Sequence, residues 1–376
     1  MARPVVLAID AVGAKHSGAA TVLQAIVAAA LSSSRVERLI VFCSPRQLRL
    51  FELPNGPRLV EREVSNGDSG PLSRISWQLR RLPAEVSASG ADVVLCLSGG
   101  GIPPRGVPSV VLVQQSLPFA PEALARLSWR DRVRFRSVRW MMRAACRRAT
   151  LVIVQTPTMR DRVAATFGTA LGRLAVVEPD VSLLASTLPA AVELASMRAA
   201  PAGRRILYVG NTSEYKNLCV LTAAMAVLRR RLPDASLFAT VPQEHPIVRA
   251  DGVHHLPHLP PSTLREAYTL ATALVMPSLV ETVGLPMLEA ASVGTPVVAA
   301  DRPYARDVCG DAALYFDPLD PESLARQLAL ILCDETLRLR LAESGHKRAV
   351  ARAAARPYER LVDLVVEQAL MAPGAS

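Results

Sequence analysis

Short apolar runs alternate with segments of helical pattern along almost the whole chain. In the first half, runs rich in β-branched residues predict five strands, at Val5–Ile9, Leu39–Cys43, Val93–Leu97, Val110–Val113 and Leu151–Gln155. Segments with helical spacing lie between them, at about 19–30, 75–88, 130–147 and 158–167. Strands that are apolar throughout and separated by helices are typical of parallel sheets covered on both faces.

The second half repeats this alternation. Five more strands are predicted, at Ile206–Val209, Ser236–Thr240, Ala273–Met276, Val297–Ala300 and Ala313–Phe316. Helices are predicted at about 216–231, 262–271, 285–293, 321–332 and 335–345. An Ala- and Pro-rich stretch, Ser186–Arg204, interrupts the pattern and indicates a linker. We therefore expect two doubly wound, Rossmann-like α/β domains facing across a cleft, at residues 1–187 and 203–356.

Composition narrows the class of protein. Of 376 residues, 50% are apolar and 20% are charged, which excludes disorder for most of the chain. No apolar run reaches the roughly 18–20 residues that a membrane-spanning helix needs, and Val5–Ile9 is too short for a signal peptide. These observations predict a cytoplasmic protein.

The six cysteines form no Cys-x-x-Cys pair and are interpreted as reduced thiols, mostly in the core.

The positive charge is concentrated in the first half. Residues 1–190 hold 24 Lys and Arg against 13 Asp and Glu, whereas residues 191–376 hold 19 against 20. Much of the excess lies in Arg126–Arg148, where Trp129 and Trp140 interrupt the arginines. A basic helix with aromatic residues predicts peripheral contact with an anionic membrane; the alternative is a solvated face whose aromatic side chains belong to the core. No nucleic-acid recognition motif accompanies the charge, so we expect no nucleic-acid partner.

The most informative segment follows the predicted strand at Ala273–Met276. Gly284 and Leu285 open a helix there, with Glu281 just before its start and Glu289 eight residues after Glu281. The free amides of a helix N-terminus, together with the positive end of its dipole, form a natural phosphate cradle. The backbone at Val283, Gly284 and Leu285 is therefore predicted to bind a diphosphate. The alternative interpretation is a pair of exposed glutamates at a helix end.

Two other loops follow predicted strands. After Ile206–Val209 come Gly210, Asn211 and Lys216, and Lys216 is one of only three lysines in a chain that otherwise uses arginine. A compact ammonium on a flexible stem suits contact with a phosphate. In the first half, Gly13 lies in the loop after the first strand, where a glycine lets the backbone approach a ligand closely.

These motifs resemble the E-x7-E signature of retaining GT-B glycosyltransferases of the family 4 type. The residues PS stand before the glutamate pair, GLP lies within it and GTPVVA follows it, while Thr282 and Val283 replace the usual Gly-Phe. The resemblance implies that Glu281 orients the donor sugar and is catalytic together with Lys216. It also implies that Glu289 holds the ribose hydroxyls of the donor.

The sequence departs from the family at two places. Asn211 stands where the family usually has Arg, so one bidentate contact with the diphosphate is lost. We expect the diphosphate to be held more weakly or by another residue in addition. Gln114 and Gln115 stand where many members have a histidine near the donor sugar, and a glutamine cannot act as a base at neutral pH.

The resemblance implies a retaining, metal-independent hexosyltransferase without a cofactor, whose donor substrate is a nucleoside-diphosphate sugar. The segment Asp301–Pro318 resembles mannosyl- or rhamnosyl-type members of bacterial polysaccharide or cell-envelope pathways, with a glycan or lipid-linked acceptor. In this fold a last helix, here residues 357–372, commonly packs back onto the first domain. The alternatives are a non-catalytic GT-B partner or binding subunit and a nucleotide-sugar epimerase on the same fold.

Overall fold

The protein contains two compact α/β units. A computed structural model describes residues 3–14, 17–50, 53–65, 71–97, 102–125, 128–181 and 194–372. The first unit comprises residues 1–121, 128–179 and 356–376, and the second comprises 122–127 and 180–355. Each unit has one parallel sheet with helices packed against it.

The sheet of the first unit has seven parallel strands in the order β3-β2-β1-β4-β5-β6-β7. Their bounds are β1 Val5–Asp10, β2 Val36–Cys43, β3 Leu59–Glu63, β4 Val93–Cys96, β5 Ser109–Leu112, β6 Leu151–Val154 and β7 Leu174–Val176. The helices along this part of the chain are α1 Ser17–Ser32, α2 Pro45–Leu50, α3 Pro71–Ser76, α4 Leu82–Ala88, α5 Pro121–Leu124, α6 Trp129–Arg148 and α7 Pro157–Phe167. A π-helical turn, Trp77–Arg81, joins α3 to α4.

The sheet of the second unit has six parallel strands in the order β10-β9-β8-β11-β12-β13. Their bounds are β8 Arg205–Tyr208, β9 Ser236–Ala239, β10 Val253–His255, β11 Ala273–Met276, β12 Val297–Ala300 and β13 Ala313–Phe316. The helices are α8 Ala195–Ala199, α9 Leu218–Arg229, α10 Pro261–Leu270, α11 Leu285–Ser292, α12 Pro303–Cys309, α13 Pro321–Cys333 and α14 Glu335–Ala354.

One more helix, α15 (Pro357–Leu370), belongs to the first unit although it follows the second along the chain. Its buried side chains, including Leu361, Val362 and Val365, join the apolar cluster that also contains Leu7 and Ile9 of β1. One face of the first sheet is therefore covered by the end of the chain.

The doubly wound α/β architecture predicted from the sequence is confirmed, and all ten predicted strands form. Three strands were not predicted: β3, β7 and β10. All three lie at sheet edges and have few buried positions. β3 and β10 lack the continuous apolar run that marks a central strand, and β7 is apolar but only three residues long. The predicted helix at 75–88 is interrupted by the π-helical turn, and the short helix α12 was not predicted.

The predicted linker is the largest departure from expectation. Part of it forms α8, and Leu194 and Met197 are fully buried in the core of the second unit. The second unit therefore begins at residue 180 rather than 203. The prediction missed this start because so short a stretch gives only a weak helix signal. Residues 182–193 lie outside the described part of the chain.

All six cysteines are free thiols. Cys43, Cys96, Cys146 and Cys309 are buried, and burial raises the pKa of the Cys43, Cys146 and Cys309 thiols to about 12. Cys219 and Cys333 are exposed, so the expected core location is confirmed for four of the six thiols and wrong for these two. Among the helices of the described residues, none has the length and apolar character needed to cross a bilayer.

Candidate active site

Lys216 and Glu281 come together at the carboxyl edge of the second sheet. Lys216 ends a 3₁₀ turn (Glu214–Lys216) after β8, and Glu281 lies in the loop after β11, the strand that pairs with β8. The amide of Leu279 donates a hydrogen bond to the carbonyl of Tyr215 at 2.8 Å, which joins the two loops. The Lys216 Nζ atom consequently lies 2.6 Å from Oε1 of Glu281.

This ion pair is largely shielded from solvent, with side-chain exposures of 10% for Lys216 and 14% for Glu281. Burial is the largest single influence on the pKa of Lys216 and lowers it, but Glu281 and Tyr215 together raise it by more, so the net pKa lies above the ordinary value. Lys216 therefore keeps its positive charge at neutral pH. A protonated amine at this edge of the sheet provides a binding group for phosphate oxygens.

The helix N-terminus beside the ion pair has the predicted form. Gly284 has φ of +81°, a left-handed conformation that favours glycine, and it directly precedes α11. Pro286 has no amide hydrogen, and the amide of Met287 donates to the carbonyl of Gly284 at 2.9 Å. The amide of Leu285, at the first position of α11, has no preceding turn to accept it and is the one that the helix leaves for a ligand. The side chain of Val283 is buried, 2% exposed, so only its backbone could contact a ligand.

Glu289 lies on α11, eight residues after Glu281. Its Oε2 atom accepts a hydrogen bond of 2.5 Å from the hydroxyl of Tyr268, a fully buried residue of α10. Burial raises the pKa of Glu289, and the hydrogen bond from Tyr268 offsets only part of that effect. Tyr268 fixes one carboxylate oxygen of Glu289 and leaves the other, Oε1, for a ligand.

Gly210 and Asn211 lie in the loop after β8. A Cβ atom at Gly210 would lie 2.6 Å from the hydroxyl oxygen of Tyr208, so a larger residue does not fit there without displacing that ring. The Tyr208 hydroxyl donates to the carbonyl of Asn211 at 2.7 Å. The Asn211 side chain is exposed and accepts a hydrogen bond from the Ser213 amide at 3.1 Å, so it stabilises the turn that leads to Lys216.

The remaining predicted residues belong to the first unit. Gly13 lies in the loop after β1. The carbonyls of Ala11 and Ala14 in this loop accept hydrogen bonds of 2.8 and 2.6 Å from the side-chain amide of the buried Gln47. The buried carboxylate of Asp10 also accepts from the Val12 amide in this loop, at 3.3 Å. The loop is thus held by side chains that the sequence did not single out.

Gln114 and Gln115 follow β5 and are partly buried. Of the basic segment, Arg126 lies outside the described residues, whereas the arginines from 130 to 148 lie on α6.

The structure thus gathers Lys216, Glu281, Gly284 and Glu289 in the second unit. Tyr268 was missed by the sequence analysis, and no sequence signal could have found it. It precedes Glu289 by 21 residues and lies on a different helix, where a tyrosine at a core-facing position has the pattern of an ordinary core residue.

Known proteins share this arrangement of elements. Residues 203–334 match the Glycosyl transferases group 1 family. The resemblance to glycosyltransferases is confirmed over this segment, which contains Lys216, Glu281 and Glu289. The retaining, family 4 type stays a prediction.

Two curated relatives are similar to part of the chain. D-inositol 3-phosphate glycosyltransferase of Paenarthrobacter aurescens is 32% identical over 167 residues, which is 41% of this chain and 41% of that protein. O-antigen chain mannosyltransferase B of Escherichia coli is 32% identical over 146 residues, 35% of this chain and 38% of that protein. The matched region therefore spans about two fifths of the length of each relative.

Among solved structures, the Anabaena protein HepE in complex with UDP-glucose has a TM-score of 0.71 and 16% sequence identity. The alignment covers 96% of this chain and 99% of that one. At this identity the likeness establishes the fold, two parallel sheets with helices as in GT-B glycosyltransferases.

Proposed function

We propose that the protein is a glycosyltransferase that moves a sugar from a nucleoside-diphosphate sugar to a glycan or lipid-linked acceptor, with retention of the anomeric configuration. The observation that carries the proposal is the ion pair of Lys216 and Glu281 beside the N-terminus of α11, with Glu289 on the same helix. The family match over residues 203–334 supports it.

In this reaction the bond between the anomeric carbon and the diphosphate oxygen breaks, and a bond from the acceptor oxygen to that carbon forms on the same face. The acceptor's proton passes to the leaving phosphate oxygen. Lys216 and the amide of Leu285 at the start of α11 stabilise the negative charge that develops on the diphosphate. Glu281 orients the donor sugar, and Oε1 of Glu289 accepts hydrogen bonds from the ribose.

These groups supply the positive charge that a divalent ion provides in other phosphate sites, so we propose that transfer needs no metal. Activity that is unchanged by EDTA supports this part of the proposal. Activity lost with EDTA and restored by Mg²⁺ or Mn²⁺ contradicts it.

We propose a mannose- or rhamnose-like donor sugar and a place in bacterial-type polysaccharide or cell-envelope synthesis. The support is the similarity to a protein named O-antigen chain mannosyltransferase B and the sequence of Asp301–Pro318. A bound UDP-glucose in HepE supports a nucleotide sugar as the class of donor.

The decisive experiment is a thermal-shift panel with UDP, GDP, dTDP and ADP. A nucleotide at 100 times its Kd stabilises the folded state by about 2.7 kcal/mol, which raises Tm by several degrees. We expect one nucleotide to raise Tm in the wild type and not in Lys216→Ala. Lys347→Ala is the matched control, because Lys347 is an exposed lysine that pairs with Glu343.

A second candidate is a non-catalytic partner subunit, which the exposed Asn211 favours because it stands where an arginine would clamp the diphosphate. It predicts no donor turnover with any acceptor and no effect of Glu281→Ala.

The other alternative is a nucleotide-sugar epimerase on the same fold. It predicts that the sugar of the nucleotide sugar is epimerised in the absence of an acceptor, which product analysis detects.

We also propose that the protein acts in the cytoplasm at the inner face of the membrane, with the basic segment near Arg126–Arg148 as the contact. Cell fractionation tests this location: a protein recovered from the membrane fraction and released by high salt supports it, and one that stays in the cytosolic fraction at low salt contradicts it.

A further inference from the structure

Three neighbouring strands of the second sheet, β8, β11 and β12, end at the same edge. Because these parallel strands are adjacent, the loops that follow them lie side by side, and the first two loops contain Lys216 and Glu281. The loop after β12 contains Asp301 and Arg302, and Arg302 directly precedes α12. An arginine therefore lies at the edge that carries the candidate active site, one strand beyond Glu281.

Tyr304 joins the start of α12 to the loop that contains Glu281. Its hydroxyl donates a hydrogen bond of 2.7 Å to the carbonyl of Ser278, which follows β11. Burial raises the pKa of this hydroxyl, the carboxylate of Glu281 raises it further, and the guanidinium of Arg302 lowers it. Both charges act on one buried hydroxyl, so Arg302 and Glu281 share an electrostatic environment.

The guanidinium of Arg302 forms no hydrogen bond or ion pair with another residue of the described ranges. Its Nε atom is nevertheless shielded from solvent. The neighbouring carboxylate of Asp301 is bound by Arg306 instead, at 2.8 Å from Nε and 2.9 Å from Nη2. Because a shielded donor without an acceptor is unfavourable and arginine keeps its charge, this side chain suits an anionic ligand.

The other groups of the site offer little net positive charge to a diphosphate. Lys216 is paired with Glu281 at 2.6 Å, and α11 contributes the amide of Leu285. The side chain of Asn211, which stands where an arginine is usual in this family, is used within its own turn. Arg302 is therefore the cation best placed to take the part of the missing arginine.

We propose that Arg302 is a donor-binding residue whose guanidinium binds phosphate oxygens of the nucleoside diphosphate, in place of the arginine absent at position 211. The inference rests on the proposed function and adds a residue to its site. A planar guanidinium can donate two parallel hydrogen bonds to a phosphate, which an ammonium cannot. Lys216 then acts as a point charge, and Arg302 orients the phosphates.

A carboxylate on the donor sugar would offer the guanidinium the same pair of oxygen atoms. The diphosphate is favoured because Glu281, the residue proposed to orient the sugar, would repel a second carboxylate beside it. Comparing a nucleoside diphosphate with its sugar nucleotide separates the two contacts, since only the phosphates are common to both ligands.

The test is isothermal titration of Arg302→Gln with whichever of UDP, GDP, dTDP and ADP binds the wild type, and with the matching UDP-glucose, GDP-mannose, dTDP-rhamnose or ADP-glucose. We expect Kd to rise roughly ten- to hundredfold, by the same factor for both ligands, as charged hydrogen bonds to the phosphates are lost. Without nucleotide, Tm should be unchanged or higher, because the substitution removes no hydrogen bond within the described residues.

The matched control is Arg231→Gln. Arg231 is an exposed arginine just after α9, the helix that leads away from the edge where β8 ends. This variant should bind both ligands with the wild-type Kd.

A rescue variant tests whether Arg302 replaces the missing arginine. Asn211 is exposed, so an arginine fits there. We expect Asn211→Arg/Arg302→Gln to regain most of the affinity that Arg302→Gln loses, because one guanidinium can again meet the diphosphate. Asn211→Arg alone measures the effect of losing the hydrogen bond to Ser213, which completes the cycle.

Four results would overturn the inference. Wild-type affinity in Arg302→Gln, with binding impaired in Lys216→Ala, rejects it and leaves the proposed function standing. A loss confined to the sugar nucleotide assigns Arg302 to the sugar. A loss accompanied by a lower Tm and not rescued by Asn211→Arg gives Arg302 a structural role. Binding of none of the nucleotides by the wild type rejects the proposed function itself, and this inference with it.

Discussion

Nζ of Lys216 and Oε1 of Glu281 are 2.6 Å apart, so the cation that would bind the donor diphosphate is neutralised by a carboxylate before any donor arrives. Phosphate oxygens must compete with Glu281 for Lys216, and they meet the like charge of the carboxylate.

We therefore expect Glu281→Gln to bind the preferred nucleoside diphosphate about three- to tenfold more tightly than the wild type while losing sugar transfer. Isothermal titration and a transfer assay measure the two effects separately. The matched control is Glu343→Gln, which breaks an exposed pair of the same 2.6 Å length with Lys347. Weaker nucleotide binding in Glu281→Gln would show that this carboxylate supports the diphosphate instead of opposing it.

Tyr268→Phe removes the hydrogen bond that fixes Glu289. Because a buried hydrogen bond to a charged group contributes about 1.5–3 kcal/mol, we expect at least tenfold weaker binding of a ribonucleoside diphosphate. The affinity for the 2′-deoxynucleoside diphosphate should fall less in this variant, since that ligand has one hydroxyl fewer to donate to Glu289. The ratio of the two Kd values is the measurement.

The control for Tyr268→Phe is Tyr315→Phe, which removes a 2.5 Å hydrogen bond to the carbonyl of Gly310 in the same unit. It should lower Tm without changing that ratio. A ratio that is unchanged in Tyr268→Phe would remove Tyr268 from ribose recognition.

The raised pKa of Glu289 predicts that the free energy of unfolding depends on pH. The pKa is higher in the folded chain than its ordinary value of 4.5, so the folded protein binds a proton more tightly than the unfolded chain does. The stabilising effect of that proton is complete below pH 4.5 and is lost as the pH rises through the folded-state pKa.

Glu289→Gln should consequently raise Tm at pH 7 and weaken nucleotide binding. Tm should rise by about 2–4 °C for each kcal/mol by which the variant lowers the free-energy cost of burying the charge. The gain in Tm should disappear toward pH 4.5. Melting curves across this range test the prediction, with exposed Glu343→Gln as the control. A gain that is independent of pH would point to packing rather than charge.

Gly284→Ala tests the backbone at the start of α11. Its φ of +81° costs an alanine about 1–2 kcal/mol, and the new Cβ would lie 2.8 Å from the end of the Met287 side chain. Gly294→Ala is matched for strain, because its φ is +78° and no atom lies within 4 Å of the new Cβ. We expect similar losses of stability in both, but weaker nucleotide binding only in Gly284→Ala. Equal binding by the two variants would mean that the start of α11 does not hold the ligand.

The sequence predicted the parts of the site that depend on local spacing. Glu281, Gly284 and Glu289 belong to one strand-loop-helix segment, so eight residues of separation are enough to place them around a helix start. The pairing of Lys216 with Glu281 depends on β8 and β11 being neighbours, which the strand order determines and local pattern does not. Tyr268 contributes through a contact between two helices, and no periodicity encodes such a contact.

Every central strand was predicted, whereas three of the four edge strands were missed; the edge strand that was predicted is β13. β11 and β12 are buried at every position, so their apolar runs are unmistakable. β10 has one buried residue in three, because an edge strand needs only one neighbour and one covered face. The start of the second unit was misplaced for a different reason: Leu194 and Met197 lie in an Ala- and Pro-rich stretch whose composition is typical of a linker.

The position of α15 has a consequence for synthesis on the ribosome. Residues 180–355 precede α15 along the chain, so they leave the ribosome before it does. The first unit, although translated first, waits for Leu361, Val362 and Val365 to cover one face of its sheet. We therefore expect the nascent chain to complete its second unit before its first, against the usual order in which N-terminal domains fold ahead of later ones. Until then, the exposed face of the first sheet is the part of the chain most open to chaperones.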